Sequence, residues 1–178
     1  MNENKSKYSC ADFSFPLLPH SKALQLIRLL GFDAVDLGIF EGRSHHYPSY
    51  IAKDTVKEGN RLAKELSTIG IQAADVFLQT GEEPPVAAAN NPDESVRANN
   101  RQLFLKTLDF TCTLGCNHIT GLPGVSHKGT SLADDWKRSC EETYWRIETA
   151  RANNVVYAIE PHVGSILPDA DTTLQFIN

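Results

Sequence analysis

The sequence predicts an α/β fold built around a parallel sheet. Three observations point there. Strand-like and helix-like segments alternate from end to end, the strand signals number five, and each strand is apolar enough to be buried on both faces. At 178 residues the chain is long enough for one domain, 1–178, with a sizeable core.

Taken in order, the first strand signal is YSCADFSF at 8–15, which Pro16 ends. Ser21 is placed to cap a helix in which Leu24, Ile27 and Leu30 recur at helical spacing, and Gly31 closes it. DAVDLGIF at 33–40 reads as the second strand and leads into a polar loop, EGRSHHYPSY. The next helix covers 53–69, with Leu62, Leu66 and Ile69 inward and Gly70 at its end. IQAADVFLQ at 71–79 is the third strand. The segment GEEPPVAAANNPDES is a loop by composition. At about 15 residues it exceeds most connections, which suggests a lid or flap. A helix from Glu94 to Leu114 then sets Leu105, Leu108 and Cys112 on one face before Gly115 stops it. NHITG at 117–121 is the fourth strand. Ser131, with Asp134 three residues on, resembles a capping box, and the helix behind it is expected to bury Trp136, Cys140, Tyr144 and Ile147. The fifth strand is VVYAIE at 155–160, and Asp169 opens a last helix.

Two architectures fit this order. One is a complete five-stranded, doubly wound sheet. The other is the first part of an eight-unit β/α barrel. The strand signals start roughly 25 to 45 residues apart, so eight units need about 250 residues and this chain holds about five of them.

Hydrophobic content of 41% and charged content of 22% are those of an ordinary soluble domain. A net charge of -5 with no basic stripe argues against a nucleic-acid partner. The polar start, MNENKSKYS, lacks the apolar stretch of a signal peptide, and no apolar run is long enough to span a membrane. A cytoplasmic location without a membrane partner is the expectation. The four cysteines, Cys10, Cys112, Cys116 and Cys140, lack the second cluster that a zinc site needs, and they read as small, buried, reduced thiols.

In both architectures chemistry collects at the carboxyl ends of the strands. Polar groups stand late in the strands or after them: Asp12, Asp36, Glu41, His45, His46, Asp75, Gln79, His127, Glu160 and His162. Backbone donors can satisfy Asp36 and Asp75, the loop can solvate His45 and His46, and His118, inside a strand, reads as a hydrogen-bonded core histidine. Glu160 stands apart. A carboxylate directly after VVYAI is costly to desolvate unless it meets a cation or hydrogen-bond donors, so function outweighs structure there. No G-x-G-x-x-G follows the first strand and no Walker-type motif occurs, which removes the best signs of a nucleotide site.

The stretches DFSFPLL, VDLGIFEGRSH, TGLPGVSH and AIEPHVGS, in this order, resemble the sugar phosphate isomerase/epimerase family, whose members are xylose isomerase-like TIM barrels. The resemblance runs from about Tyr8 to Asn178, and its most telling piece is Glu160-Pro161-His162. It implies an incomplete parallel (β/α) barrel of the TIM type, about five of eight units, truncated after the fifth. It also implies a carbohydrate substrate and a divalent metal, Mn²⁺ or Mg²⁺. Glu160 matches the family's strand-five metal ligand, while the aspartate, histidine and second glutamate of later strands have no counterpart. The implied chemistry is metal-assisted proton abstraction next to a carbonyl, through an enediolate. In it Glu160 is catalytic and a metal ligand, and His162 is catalytic, by orienting it or binding a hydroxyl. Asp36, His45, His46, Asp75 and His127 are substrate-binding candidates. With most metal ligands missing, tight metal binding by this chain is not expected, activity is expected to be impaired, and open sheet edges predict low stability or self-association. The alternatives are a non-catalytic truncated barrel serving as a binding or interaction module, and a self-contained five-stranded α/β ligand-binding domain.

Overall fold

The computed structural model describes residues 8–178. Residues 1–7 of the polar amino-terminal stretch lie outside the described residues. The strands are β1 (Ser9–Ala11), β2 (Ala34–Phe40), β3 (Gln72–Gln79), β4 (His118–Gly121) and β5 (Val156–Ile159). The helices are α1 (His20–Leu29), α2 (Pro48–Ile51), α3 (Thr55–Ile69), α4 (Glu94–Leu114), α5 (Leu132–Arg151) and α6 (Ala170–Ile177). Among the described residues no helix is long and apolar enough to cross a membrane.

The strands pair in the order β1-β2-β3-β4-β5, every pair parallel. A doubly wound sheet reverses its order at a switch point; this sheet does not. With crossovers of one hand, sequential order puts the helices on a single face. That is the winding of a β/α barrel, and it decides between the two architectures. Val35, Leu37 and Ile39 of β2, Val76 and Leu78 of β3 and Ile119 of β4 point into the helical layer and pack with Leu24, Ile27, Leu62, Leu66, Phe104 and Leu108. Each such buried side chain contributes roughly 1.5–3 kcal/mol. The alternate residues, Asp36, Gly38 and Phe40 on β2 and Asp75, Phe77 and Gln79 on β3, line the concave face.

Several local expectations need correction. β1 stops at Ala11, and Asp12–Ser14 form a 3₁₀ turn, because the Asp12 carboxylate turns back to accept the Gly38 N–H at 2.9 Å. Ser21 does not cap α1; the helix starts at His20 behind Pro19, whose carbonyl accepts from Lys22 and Ala23. Leu30 is 58% exposed. The loop after β2 contains the one-turn helix α2, which Pro48 starts with its preset φ. α3 begins at Thr55, capped by the Asp54 side chain. Gly70 and Gly115 close α3 and α4 at φ 80° and 82°, the left-handed turn that glycine adopts freely. On α4 the core residues are Phe104, Leu108, Phe110 and Leu114, whereas Leu105 and Cys112 face solvent.

The largest correction is α5. Its buried face is Asp135, Ser139, Glu142, Thr143, Arg146 and Ala150, while Tyr144 is 67% exposed. The helix packs a polar network against α4, and the apolar stripe anticipated as core is only half covered. Burial of strands on both faces also fails at β5: Val156 is 56% exposed, and β4 is its sole neighbour in the sheet among the described residues.

The long 80–93 segment is not a free lid. Thr80 Oγ1 donates to the Ala87 carbonyl at 2.9 Å, and Asn100 Nδ2 donates to the carbonyls of Ala87 and Ala88 at 2.9 and 3.0 Å. Asn90 is fully buried.

Candidate active site at the carboxyl ends of the strands

The register fixes which concave-face residues share a level. Asp36 pairs with Asp75, and His118 with Val156; one level up, Gly38 pairs with Phe77, Phe77 with Thr120 and Thr120 with Ala158. Glu160 follows β5, its amide donating to the Gly121 carbonyl at 3.0 Å. Tyr157 packs edge-on against Phe104 in the helical layer, so alternation turns Val156, Ala158 and Glu160 to the concave face. Glu160 therefore stands at the mouth, exposed, and its carboxylate makes no hydrogen bond or ion pair among the described residues.

Asp36 and Asp75 lie deeper. Four residues separate their level from that of Phe40 and Gln79, about 13 Å along a strand at ~3.3 Å per residue. They belong to their own polar row: Ser9 Oγ donates to Asp36 at 2.8 Å, and Asp75 meets His118 Nδ1 at 2.7 Å. Burial, then the nearby charges of Asp75 and Asp12, push the Asp36 carboxyl up, against the pull of Ser9 and His118. His118 is thus hydrogen-bonded as expected, but it is not a core residue: its side chain is 36% exposed on the concave face. Between this row and the mouth sit Phe13, Phe40 and Phe77, with ring centroids 5.0 to 6.2 Å apart. The Phe13 ring lies where a side chain on residue 38 would go: a Cβ there would be 2.6 Å from it. This aromatic floor leaves little trace in the sequence beyond aromatics at alternate, concave-face positions.

His45 and His46 pack into a histidine cluster after β2, His46 buried and His45 half-buried. His46 is 9% exposed and its Nε2 lies 3.1 Å from His20 Nδ1. His20 Nε2 in turn stands 3.1 Å from Asp12 Oδ2, and the His20 ring stacks 4.9 Å from that of His45. Burial foremost, then the charges of His20, Arg61 and His45, lower the His46 pKa to about 3, so this imidazole is neutral at working pH. His45 is also lowered, by burial and then by His20. His20, the hub of the cluster, carried no periodic signal in the sequence.

His127 follows β4 and is held by Asp135 of α5. The His127 amide donates to Asp135 Oδ2 at 2.8 Å, and Nδ1 lies 3.3 Å from Oδ1. Burial alone would raise the Asp135 carboxyl. Hydrogen bonds from the His127 amide, Thr130, Arg138 and the His127 ring outweigh burial and lower it. His127 Nε2 is buried without a partner among the described residues. His162 is exposed; its amide donates to the Leu167 carbonyl at 3.2 Å, and no hydrogen bond joins it to Glu160.

The loop carrying His127 is stiff. Asn90 donates to the carbonyls of Val125 and Asp135 at 2.8 and 3.1 Å and accepts from the Val125 amide at 3.0 Å. Gly124, at φ 115°, must be glycine twice over, because a Cβ there would also meet Asn90 Oδ1 at 2.4 Å.

Glu160 suits one position of a hard-cation site, but the described residues contain no group of three His, Cys, Asp or Glu side chains able to hold a metal ion. The residues in hand therefore do not fit a metal centre.

A family model described as xylose isomerase-like TIM barrel matches residues 24–178. The chain belongs to this family. Solved barrels of similar fold include D-psicose 3-epimerase with D-tagatose from Clostridium cellulolyticum H10, at 17% identity and TM-score 0.75, covering 97% of this chain and 59% of that one. A second is L-ribulose 3-epimerase, at 19% identity and TM-score 0.73, covering 97% and 56%. A third is the IolI protein with a bound zinc atom, at 17% identity and TM-score 0.71, covering 96% and 58%. The chain thus spans less than two thirds of the length of these barrels. No curated protein matches the sequence.

Proposed function

We propose that this chain carries the β1–β5 side of a carbohydrate isomerase or epimerase site, with Glu160 as the carboxylate that moves the proton. The observation that carries the reading is the position of Glu160: unpaired, at the carboxyl end of β5, on the concave face. A ketose bound there has a weakly acidic C–H next to its carbonyl. Transfer of that proton to the Glu160 carboxylate leaves an enediolate. Delivery of the proton from Glu160 to the neighbouring carbon isomerises the sugar; epimerisation needs a proton donor on the opposite face of the enediolate, a role assigned to none of the described residues. The apolar floor of Phe13, Phe40 and Phe77 suits the C–H face of a sugar and keeps water from beneath the reacting carbon. His162, exposed beside Glu160, is proposed to bind a substrate hydroxyl. The polar row of Asp36 and Asp75, the histidine cluster of His20, His45 and His46, and His127 support the site from below and from its flanks. The epimerases among the structural neighbours support this substrate class.

A divalent cation of the kind expected for the family, Mn²⁺ or Mg²⁺, would supply a Lewis acid for the enediolate. Because the described residues do not assemble a site for it, no step is assigned to it. A cytoplasmic setting belongs to the same proposal, supported by four cysteines that are all free.

The test is Glu160→Gln. The variant should keep the far-UV dichroism of the parent and lose ketose interconversion. Retained interconversion contradicts the assignment. The reading of a non-catalytic binding module is favoured by the incomplete donor set; it predicts sugar binding by the parent chain with no interconversion.

A further inference from the structure

One cavity lies away from Glu160. It lies behind the sheet, between the carboxyl ends of β3 and β4 and helices α4 and α5, with a volume of about 50 Å³. That is room for about three to five water molecules or a small oxyanion. The walls are largely apolar, Leu78, Ala88 and Phe104 among them; the polar lining residues are Gln79, Thr80 and Glu83 toward the strand ends and Arg146 and Tyr157.

Arg146 and Tyr157 both have bonding capacity to spare. Arg146 is 5% exposed, and only its Nη1 is bonded, to the Glu142 carbonyl at 2.9 Å and to its carboxylate at 2.8 Å. Nε and Nη2 have no hydrogen-bond partner among the described residues. The Tyr157 hydroxyl likewise has none, and it fills the space left by the absent side chain of Gly121, where a Cβ would lie 2.6 Å from it.

Charge balance around the cavity points the same way. The 2%-exposed Glu142 faces three guanidiniums: Arg146 at 2.8 Å, Arg101 at 2.8 Å and Arg97 at 3.7 Å. One carboxylate cannot neutralise three cations, and the excess is held in a chain whose net charge is -5. Arg97 and Arg101 relieve part of the excess through solvent, at 22% and 42% side-chain exposure, whereas the Arg146 side chain is 6% exposed and its guanidinium lies over the Phe104 and Trp145 rings, 5.6 and 5.8 Å from their centroids. Glu83, also in the lining, is exposed at the rim.

We infer that this cavity is a binding site for a small oxyanion, phosphate or carboxylate, held by the Arg146 guanidinium and the Tyr157 hydroxyl. A planar guanidinium with two free N–H groups matches a tetrahedral or carboxylate oxyanion, and the phenol adds a third donor. The site is separate from Glu160 and does not rest on the isomerase reading. It lies beside the pinned β4–α5 loop, so its occupancy would stiffen that side of the mouth.

The test is titration of the full chain with inorganic phosphate, and separately with acetate, at fixed ionic strength in chloride. Calorimetry and melting temperature are the readouts. Saturable binding that raises the melting temperature is expected. The stronger of the two anions tells a phosphate site from a carboxylate site. Tyr157→Phe, which keeps the ring, should weaken binding about tenfold. Arg146→Gln should abolish it. Arg101→Gln, outside the cavity lining but in the same charge cluster, should bind within about threefold of the parent, and so should Glu160→Gln. Absence of saturable binding by either anion overturns the inference, as does equal loss from Arg101→Gln and Arg146→Gln. If Arg146→Gln fails to fold, Tyr157→Phe decides: unchanged affinity in that variant also overturns it.

Discussion

Replacing Asn90 with alanine probes how firmly the loops at the mouth are set. Asn90 is fully buried and ties the 80–93 segment to the β4–α5 loop through three hydrogen bonds. The Asp135 carbonyl lies in the first turn of α5 and keeps a helical donor when Asn90 is lost. The Val125 N–H and C=O do not; both are left without their partner in a buried position. An unsatisfied buried polar group costs about 1–3 kcal/mol, so Asn90→Ala, which leaves two, should destabilise the fold by roughly 2–6 kcal/mol. Arg138 adds nothing to the loss, because it donates to the Asn90 backbone carbonyl, which the substitution preserves. The control is Asn91→Ala, which removes one exposed side-chain acceptor for the Asp93 amide and should cost under about 1 kcal/mol. Urea denaturation followed by circular dichroism gives both values, and limited proteolysis should cut the 80–93 segment faster in Asn90→Ala. A difference between the two variants below about 0.5 kcal/mol would refute the pinned loop and restore a mobile lid.

Four further outcomes follow from the same structure. Asp36, raised mainly by burial, favours its protonated form in the fold, so its contribution is fully present at low pH and is lost as pH rises through its folded pKa. Asp36→Asn should therefore raise the melting temperature at pH 7 and leave it unchanged well below the ordinary carboxylate range; the opposite ordering contradicts the assignment. Manganese titrated calorimetrically into this chain should bind no tighter than micromolar, because no complete donor set is present among the described residues; submicromolar affinity contradicts this. Among the described residues β5 pairs only with β4, and Val156 on it is 56% exposed, so the chain should self-associate and Val156→Lys should reduce this in sedimentation velocity; a parent that stays monomeric at high concentration contradicts it. Glu160→Gln should fold normally and lose ketose interconversion.

The sheet was legible in the sequence because its signals are local. Runs such as DAVDLGIF and IQAADVFLQ place β2 to β5 within a residue or two, β1 alone ending well short of its signal, and Gly70 and Gly115 end their helices where expected. The winding was not legible in the strand and helix signals, because strand order is set by crossovers; only the resemblance to xylose isomerase-like barrels implied it, and the sequential parallel order agrees. Helix faces were read least well. On α5 the sequence offers two stripes, one aromatic and one polar, and the polar one is buried because Glu142 and Arg146 satisfy one another against Arg101 of α4. Single-helix periodicity cannot register such a partner. The candidate site divides the same way. Glu160 was visible as a carboxylate terminating an apolar run. Asn90, Asp135 and His20, which fix the surrounding loops, act across sequence separations of 8 to 45 residues and gave no motif.

The most direct test of the central claim is solvent deuterium incorporation into a ketose, followed by proton NMR in D₂O. The parent chain should exchange the C–H beside the carbonyl, and Glu160→Gln, folded to the same extent, should not. Equal exchange by both proteins would show that the carboxylate at the end of β5 does not handle the proton.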